Sequence, residues 1–273
     1  MSFLGHIPRK RFGQHWLRDE VVLEKIVAAA DLQPLDRVLE IGPGRGVLTE
    51  KLLKSNVALV HGIELDRNLV AGLRERFSEN PRFSLREGDA LSAELTPFDG
   101  GPANKVVANI PYNITGPLLE RLVGRLGRPA DKRYQRLVLL MQKEVAQRIL
   151  AIPGQSSFSA MTVRLQLLAS CRSVCAVPPS SFTPPPKVNS QVIVLDPLEA
   201  IERLDLELER KIEGLVRVAF LSRRKKLRNT LASICPLDKL EVLAKGLGIS
   251  LDQRPQEVAP MTWIKLAKGL ANL

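Results

Sequence analysis

Short apolar runs alternate with segments of helical period along the chain as far as about Pro197, and this alternation limits the fold more than any other feature. The apolar runs have the length of buried strands, whereas the segments between them carry apolar residues at helical spacing. Strands are predicted at residues 37–41, 58–65, 83–86, 105–110, 137–140, 174–177 and 191–195, and helices at 20–31, 47–54, 67–77, 143–150 and 160–169. Alternating strands and helices form βαβ units, so we predict an α/β fold with a mostly parallel sheet and helices on both faces.

The regular alternation stops near Pro197, and every later segment has helical character. Helices are predicted at 200–218, 223–234, 237–247, 254–257 and 261–271. We therefore predict two domains, an α/β domain over residues 1–198 and a small all-helical domain over residues 199–273.

The chain is strongly basic, with 40 Lys and Arg against 29 Asp and Glu and a formal net charge of +11. This surplus favours an anionic partner, and nucleic acid is the first candidate. The cations cluster at residues 217–228, without any acid, and at 121–136, where only Asp131 interrupts them. Such clusters suit a phosphate backbone, although a solvated helix face is the alternative. The first cluster supplies the predicted nucleic-acid-binding residues Arg223, Arg224, Lys225, Lys226 and Arg228.

Cysteine usage and hydropathy indicate where such a chain works. The odd count of three cysteines fits a reducing compartment, and no second cysteine pair completes a metal site. The N-terminus lacks the apolar segment of a secretory signal, and no apolar run approaches the roughly 20 residues that span a membrane. We expect a cytoplasmic protein without a membrane partner. A monomer is expected because no apolar stripe remains for self-association.

A glycine-rich loop follows the first predicted strand, with the sequence VLEIGPGRG at residues 38–46. Glycines at 42, 44 and 46 let the backbone approach a ligand without a Cβ atom between them. The spacing is G-x-G-x-G, whereas the dinucleotide fingerprint G-x-G-x-x-G would place its third glycine at position 47, which is Val47. The looser loop suits a cofactor without phosphate, and Gly42 and Gly44 are its candidate contacts.

Three acids stand at the ends of successive predicted strands: Glu40, Glu64 and Asp89. Glu64 lies 22 residues after Gly42, where an acid can accept hydrogen bonds from both hydroxyls of a ribose. Asp89 is placed to accept from an adenine amino group. Each acid alone could equally be a helix cap or a surface charge. Together they disfavour a polyanion and favour a ligand with a sulfonium and an ammonium group, which predicts S-adenosylmethionine as the cofactor.

The fourth predicted strand ends in the sequence NIPY at residues 109–112. An adenine amine is a poor nucleophile because its lone pair is delocalised into the ring. The side-chain oxygen of Asn109 and the backbone carbonyl of Ile110 could accept both N–H bonds and favour a tetrahedral nitrogen. Pro111 fixes φ, and Tyr112 offers a face on which the base stacks. A polar turn is the alternative, but this context predicts a catalytic site that orients the amine toward a methyl group.

A base inside a duplex cannot reach such a site, so the target base must be flipped out or lie in a loop. Residues 181–188, SFTPPPKV, form a stretch that three prolines hold extended. We predict that Phe182 contacts the flipped base. The alternative is a proline-rich linker with a buried phenylalanine.

Taken together, these motifs resemble the bacterial small-subunit ribosomal RNA adenine dimethyltransferases, the kasugamycin-sensitivity type. The resemblance extends over essentially the whole chain, and the combination is far more specific than the glycine loop alone. The motifs are RKRFGQHWL at 9–17, VLEIGPGRG at 38–46, IELD at 63–66, GD at 88–89, NIPYN at 109–113, QKE at 142–144, PSSFTPPPKVNS at 179–190 and RRKKLRNT at 223–230.

The resemblance implies a Rossmann-like class I methyltransferase domain that uses S-adenosylmethionine, followed by a helical domain that binds rRNA. It implies transfer of four methyl groups, two to each N6 of two adjacent adenosines in the 3′-terminal hairpin loop of 16S rRNA. The implied substrate is an assembling small subunit, so DNA is not expected as a partner. By position it implies cofactor contacts at His15, Leu17, Gly42, Glu64, Asp89 and Asn109, and base contacts at Tyr112 and Phe182.

Two positions depart from the family pattern. His15 stands where the family often has Asn, and both side chains offer a hydrogen-bonding group at short range. Trp16 stands where Phe is usual, and we interpret it as a packing residue.

Three other functions share parts of this pattern. A large-subunit rRNA adenine methylase of the antibiotic-resistance type would have the same catalytic half, but the loop at 182–187 and the cluster at 223–226 favour the small-subunit type. A non-catalytic assembly or transcription factor on a methylase fold would not need the intact NIPY sequence. A DNA adenine methylase would need a target-reading domain, for which the helical tail is small.

Overall fold

The computed structural model describes residues 14–97, 101–131 and 134–271. Its strands are β1 Trp16–Leu17, β2 Arg37–Ile41, β3 Leu59–Glu64, β4 Phe83–Glu87, β5 Lys105–Asn109, β6 Gly124–Arg125, β7 Arg128–Pro129, β8 Arg136–Gln142, β9 Ala169–Val177, β10 Phe182–Thr183 and β11 Ser190–Pro197. Its helices are α1 Glu20–Ala30, α2 Val47–Lys54, α3 Arg67–Arg76, α4 Thr115–Val123, α5 Lys143–Leu150, α6 Ala160–Gln166, α7 Leu206–Leu221, α8 Leu227–Leu231, α9 Leu237–Leu247 and α10 Pro260–Leu270.

Seven strands form one sheet in the order β4-β3-β2-β5-β8-β11-β9. The neighbours from β4 to β8 are parallel, whereas β11 runs antiparallel to β8. The mostly parallel α/β sheet predicted from the alternation is therefore confirmed. The chain runs from β2 outward to β4 and then crosses back to β5, so the carboxyl ends of β2 and β5 flank the crevice where such sheets bind ligands.

Side-chain caps set the beginnings of the helices that surround this sheet. Asp19 accepts a hydrogen bond from the backbone nitrogen of Val22 (3.2 Å) at the start of α1. Asp66 does the same for Asn68 (3.1 Å) at the start of α3. These caps satisfy backbone donors that the first helical turn leaves free, which is why α1 and α3 begin within a residue of their predicted positions.

The described residues divide into two compact units. The first comprises the described parts of 1–122, 132–146 and 172–197, and the second comprises those of 123–131, 147–171 and 198–273. This division differs from the predicted boundary after residue 198, because the second unit also takes in two earlier segments. Arg164 of α6, for example, pairs with Glu213 of α7 at 2.6 Å.

The first unit buries its core where α1 and α2 cover the sheet. Leu23, Ile26, Val38, Leu52 and Val60 are inaccessible or nearly so and belong to one apolar cluster. Burial of such side chains contributes about 1.5–3 kcal/mol each. This core holds the carboxyl ends of β2 and β3 in fixed positions.

The second unit is largely helical and packs around Trp263, which is fully buried beside Phe220 (ring centroids 6.1 Å apart). Helix α7 begins at Leu206 rather than near residue 200, because Asp205 caps it by accepting from the backbone nitrogen of Leu208 (2.9 Å). The helix predicted at 223–234 is wrong at its start, since residues 222–226 form a turn and bend. Within the described ranges, no helix combines the length and the apolar character needed to cross a membrane.

Candidate active site

A cavity of about 300 Å³ lies in the first unit at the carboxyl ends of β2, β3 and β5. Its walls come from the glycine loop after β2, the end of β3, the segment after β4, the NIPY residues and the segment before β1. The predicted site residues on this cavity are His15, Gly42, Gly44, Glu64, Asp89, Asn109, Ile110, Pro111 and Tyr112. The structure thus brings together residues that are up to 97 positions apart in the chain.

The glycine loop has the left-handed backbone that its sequence predicts, with φ of 68° at Gly42 and 62° at Gly44. The backbone nitrogen of Gly42 donates to the carbonyl of Ile63 (2.9 Å), which ties the loop to β3. A Cβ atom at Gly44 would lie 3.0 Å from Cδ1 of Trp16. Glycine at this position therefore both permits the turn and makes room for the indole.

Glu64 is buried at the end of β3, and backbone donors hold both of its oxygens. The nitrogen of Gly44 donates to Oε2 (3.0 Å), and the nitrogen of Asp66 donates to Oε1 (2.9 Å). Burial raises the pKa of Glu64. Each oxygen has a further lone pair, so a carboxylate fixed in this way can also accept from ligand hydroxyls.

Asp89 is exposed on the rim of the same cavity. Its Oδ1 accepts from the backbone nitrogen of Leu91 (2.9 Å), which orients the carboxylate. Glu64 and Asp89 thus line one cavity from neighbouring strands, in the arrangement that the spacing predicts.

Glu40, the third acid of the predicted set, does not line this cavity. It borders a smaller cavity of about 40 Å³, where Oε2 of its carboxyl group accepts from the Thr49 hydroxyl at 2.6 Å. The side chain is 1% exposed, and burial raises its pKa to about 8. Side chains along a strand point alternately to the two faces of the sheet, so not every acid near a strand end reaches the same cavity. This alternation explains why Glu40 is separated from Glu64 and Asp89.

The amide of Asn109 is fixed by a long-range contact, in which Nδ2 donates to the backbone carbonyl of His15 (3.0 Å). This hydrogen bond uses the nitrogen of the amide as a donor, so Oδ1 is the atom that can accept. The nitrogen of Ile110 donates to the carbonyl of Leu140 (3.0 Å), which continues the pairing of β5 with β8. Pro111 then begins a 3-10 helix at Tyr112–Ile114.

Tyr112 is half-buried, and its hydroxyl lies 2.5 Å from Oγ of Ser190. Burial raises the pKa of this phenol. The ring stacks on the imidazole of His15, with centroids 5.8 Å apart and planes 26° apart. One hydrogen bond and one ring contact therefore set the position of the aromatic face at the cavity.

Residues 14–16 line the cavity and include both departures from the family pattern. His15 donates from Nδ1 to the carbonyl of Pro184 (2.8 Å), and Gln14 donates to Asp66 (3.0 Å). Trp16 also lines the cavity, under the guanidinium of Arg45 at 3.9 Å from the ring centroid. Sequence reasoning missed Gln14 and Trp16 because their positions depend on contacts with distant loops. The motif residues before Gln14 lie outside the described residues.

Leu17 is placed differently from the prediction of a cofactor contact. Its side chain is 6% exposed, belongs to the core cluster and borders the smaller cavity beside Glu40. The reason is that β1 pairs with β10, which turns this residue toward the core.

Phe182 requires a similar correction, because its ring does not lie on the cavity. It is 1% exposed and packs in the same core cluster as Leu17, its partner in the β1–β10 pairing. The alternative of a buried phenylalanine next to a proline-rich stretch therefore describes this structure better than a contact with a base.

The predicted nucleic-acid-binding residues lie in the second unit, at the turn between α7 and α8. Arg224 and Lys225 are exposed. Arg223 donates to the backbone carbonyl of Ser156. Lys226 and Arg228 both pair with Asp252, at 3.0 and 3.2 Å. The cluster thus combines cations that hold the turn with cations that extend into solvent.

The sheet order, the glycine loop at the end of central strand β2 and the carboxylate at the end of β3 together define a class I methyltransferase. Comparison with known proteins gives the family. Residues 5–272 match the family model described as ribosomal RNA adenine dimethylase, and the chain belongs to this family. It is therefore a methyltransferase that dimethylates adenine in ribosomal RNA.

Individual relatives show the same likeness. The chain is 71% identical over 270 residues to "Ribosomal RNA small subunit methyltransferase A" of Prochlorococcus marinus, covering 99% of this chain and 97% of the relative. A protein of the same name from Parasynechococcus marenigrum is 64% identical and covers 99% and 89%. Among solved structures, a dimethyladenosine transferase from Plasmodium falciparum is 28% identical with a TM-score of 0.79, covering 92% and 96%. The 23S rRNA methyltransferase ErmE is 26% identical with a TM-score of 0.74, covering 94% and 99%.

S-adenosylmethionine is the cofactor of such an enzyme, and the cavity fits it. The volume lies at the lower end of the range for small-molecule sites. Two carboxylates, Glu64 and Asp89, suit a ligand with hydroxyl, amino and cationic groups. The nitrogen of Gly46 donates to the carbonyl of Pro43 (2.9 Å), so this loop donor is used within the protein.

In the described part of the chain, no group of His, Cys, Asp and Glu side chains could hold a metal ion.

Proposed function

We propose that this enzyme dimethylates N6 of two adjacent adenosines in the 3′-terminal hairpin loop of 16S rRNA, within the assembling small ribosomal subunit. The observation that carries this proposal is the 71% identity, over nearly the whole chain, to a relative named for the small subunit. The 23S rRNA methyltransferase, by contrast, shares the fold at 26% identity.

The cavity supports a division of roles among its residues. Glu64 would accept from the ribose hydroxyls and Asp89 from the adenine amine of the cofactor, while Gly42 and Gly44 admit it against the backbone. His15 completes this set from the segment before β1. Bound there, S-adenosylmethionine supplies a methyl group on a sulfonium centre.

The NIPY residues would hold the target. Oδ1 of Asn109 and the carbonyl of Ile110 accept the two N–H bonds of the adenine amine, and Tyr112 stacks on the base. The amine nitrogen would gain the methyl group as the methyl–sulfur bond breaks, and the resulting ammonium would lose its proton to water. The rate enhancement comes from holding the nitrogen in line with that bond.

The rest of the organisation follows from this reading. The first unit would carry catalysis, and the second unit would bind rRNA through the cluster at 223–228. We infer that the enzyme acts as a monomer in the cytoplasm. Gel filtration with light scattering would test whether the enzyme is a monomer, since a mass near 30.2 kDa is that of one chain.

The test of the function uses the purified protein and methyl-labelled S-adenosylmethionine. Undermethylated small subunits, large-subunit RNA and DNA are offered separately, and the labelled nucleoside is identified. We expect N6,N6-dimethyladenosine in small-subunit RNA alone. Label in large-subunit RNA would instead favour the resistance-type activity. Tight binding of subunits without label would indicate an assembly factor, and Asn109→Ala provides the inactive reference.

A further inference from the structure

The second basic cluster of the sequence, at 121–136, separates into two parts in the structure. Arg121 donates to the backbone carbonyls of Ala90 and Ala93, and Arg136 pairs with Asp196 at 2.7 Å. These two arginines serve the fold of the first unit. Arg128, by contrast, belongs to the second unit.

Arg125 and Arg128 lie opposite each other in the β6–β7 hairpin, and both are exposed. A buried network fixes the tip of this hairpin. The nitrogen of Gly127 donates to Oε2 of Glu209 (2.7 Å), and Arg203 binds the same carboxylate at 2.6 Å. Glu209 is 1% exposed, so its charge is satisfied below the surface and does not neutralise the exposed Arg128.

The hairpin tip is next to α7. A Cβ atom at Gly127 would lie 2.3 Å from Cγ of Arg210, so the stem of Arg210 packs directly over this glycine. Arg217 is seven residues further along α7, which is about two turns or roughly 10 Å on the same face. Both side chains are exposed, and Gly214 between them has no atom within 4 Å of a built Cβ.

The acids of α7 do not cancel these charges. Glu207 pairs with Lys211 at 2.7 Å, Glu213 pairs with Arg164, and Glu209 is buried. Among the described residues, Arg210 and Arg217 form no ion pair. After α7 ends at Leu221, the exposed Arg224 and Lys225 follow in the turn.

We propose that Arg128 of the hairpin, the Arg210–Arg217 face of α7 and the α7–α8 turn form one phosphate-binding track for the ribosomal RNA substrate. The track is defined by Arg128, Arg210, Arg217, Arg224 and Lys225. Cations spaced along one surface neutralise successive phosphates of a backbone, whereas a small anion would need convergent donors. This inference rests on the proposed small-subunit rRNA substrate and adds a surface that the cluster at 223–228 alone does not provide.

Gly214 allows a test that does not threaten the fold. Gly214→Glu places a carboxylate between Arg210 and Arg217, and Gly214→Ala is its matched control. Both changes fit the open space and raise helix propensity. We expect Gly214→Glu to weaken binding of undermethylated small subunits and to raise KM for them, with kcat unchanged and Gly214→Ala like wild type.

A second comparison removes charge instead of adding it. The track triple Arg128→Gln, Arg210→Gln and Arg217→Gln is compared with a control triple in α9 and α10, Lys239→Gln, Lys245→Gln and Lys265→Gln. Both triples remove three exposed charges. Because each lost phosphate contact lowers the slope of log K against log salt by about 0.7–0.9, we expect the track triple alone to lower it by about 2.1–2.7.

The outcomes separate the two proposals. If wild type methylates small subunits but each track variant equals its control in affinity and salt slope, the track is wrong and the proposed function stands. If wild type neither binds nor methylates small subunits, both proposals fail together.

Discussion

In the cavity of the first unit, Glu64 and Asn109 are each held by hydrogen bonds to backbone atoms, whereas Arg224 and Lys225 of the second unit extend from an exposed turn. The first arrangement fixes the direction of each lone pair, as a reaction at one nitrogen atom requires. The second arrangement supplies positive charge that can pair with phosphates in many different positions. One substitution should therefore cost much in the cavity, whereas substitutions on the basic surface should act by small, salt-dependent increments.

The largest effect expected concerns the core beneath the cavity. Phe182→Ala should lower the free energy of unfolding by about 3–5 kcal/mol, because the ring is buried against the cluster that contains Leu17. Urea denaturation followed by circular dichroism measures this loss. Phe182→Leu keeps most of the apolar volume and should cost far less. Normal stability of Phe182→Ala together with lost methylation would return this ring to the role of a base contact.

Next in size is the loss of the acceptor at the target amine. Asn109→Ala should lower kcat by about 100-fold or more, which corresponds to about 2.7 kcal/mol, because the nitrogen is no longer held in line with the methyl group. Methyl transfer to undermethylated subunits measures kcat, and filter binding measures affinity for the particle, which should stay unchanged. Asn68→Ala, an exposed position on α3, is the matched control. Equal activity of the two variants would exclude Asn109 from the chemistry.

The sequence predicts the first unit well because its signals are local. An apolar run bounded by a turn is sufficient to place β2, and a capping aspartate is sufficient to place α3. The missed elements depend on distant contacts. The β1–β10 pairing joins residues 165 positions apart, and it alone decides that Leu17 and Phe182 point into the core. No local pattern carries that information.

The second unit shows a different limit. Residues 223–226 are good helix formers, yet they form the turn between α7 and α8. Propensity is a weak guide where contacts such as the pairing of Lys226 with Asp252 hold the backbone in another conformation. Similarly, three acids predicted at one site separate into two cavities, because only the structure shows to which face Glu40 points.

Glu40 gives a prediction that depends on pH. Its pKa is about 8 when folded against an ordinary value of 4.5, so between these values the folded state keeps a proton that the unfolded chain has lost. Rising pH must therefore favour unfolding, by about 1.4 kcal/mol per pH unit across this window. Glu40→Gln cannot titrate and can still bond to Thr49. We expect wild type to lose stability relative to this variant from pH 5 to pH 8 in urea denaturation. Parallel profiles would contradict the neutral, buried carboxyl.

The smallest and most condition-dependent effect is expected at the exposed turn. Arg224→Gln with Lys225→Gln removes two cations that extend into solvent, so the salt slope of subunit binding should fall by about 1.4–1.8 while stability stays the same. Lys226→Gln with Arg228→Gln removes the same charge but breaks the pairs with Asp252, and should lower stability as well. Filter binding at several salt concentrations and thermal unfolding separate these results. The contradicting outcome is that both double variants change only the salt slope, and by equal amounts. In that case the four cations would not divide into two that hold the turn and two that contact the RNA. The basic surface would then act only through its summed charge.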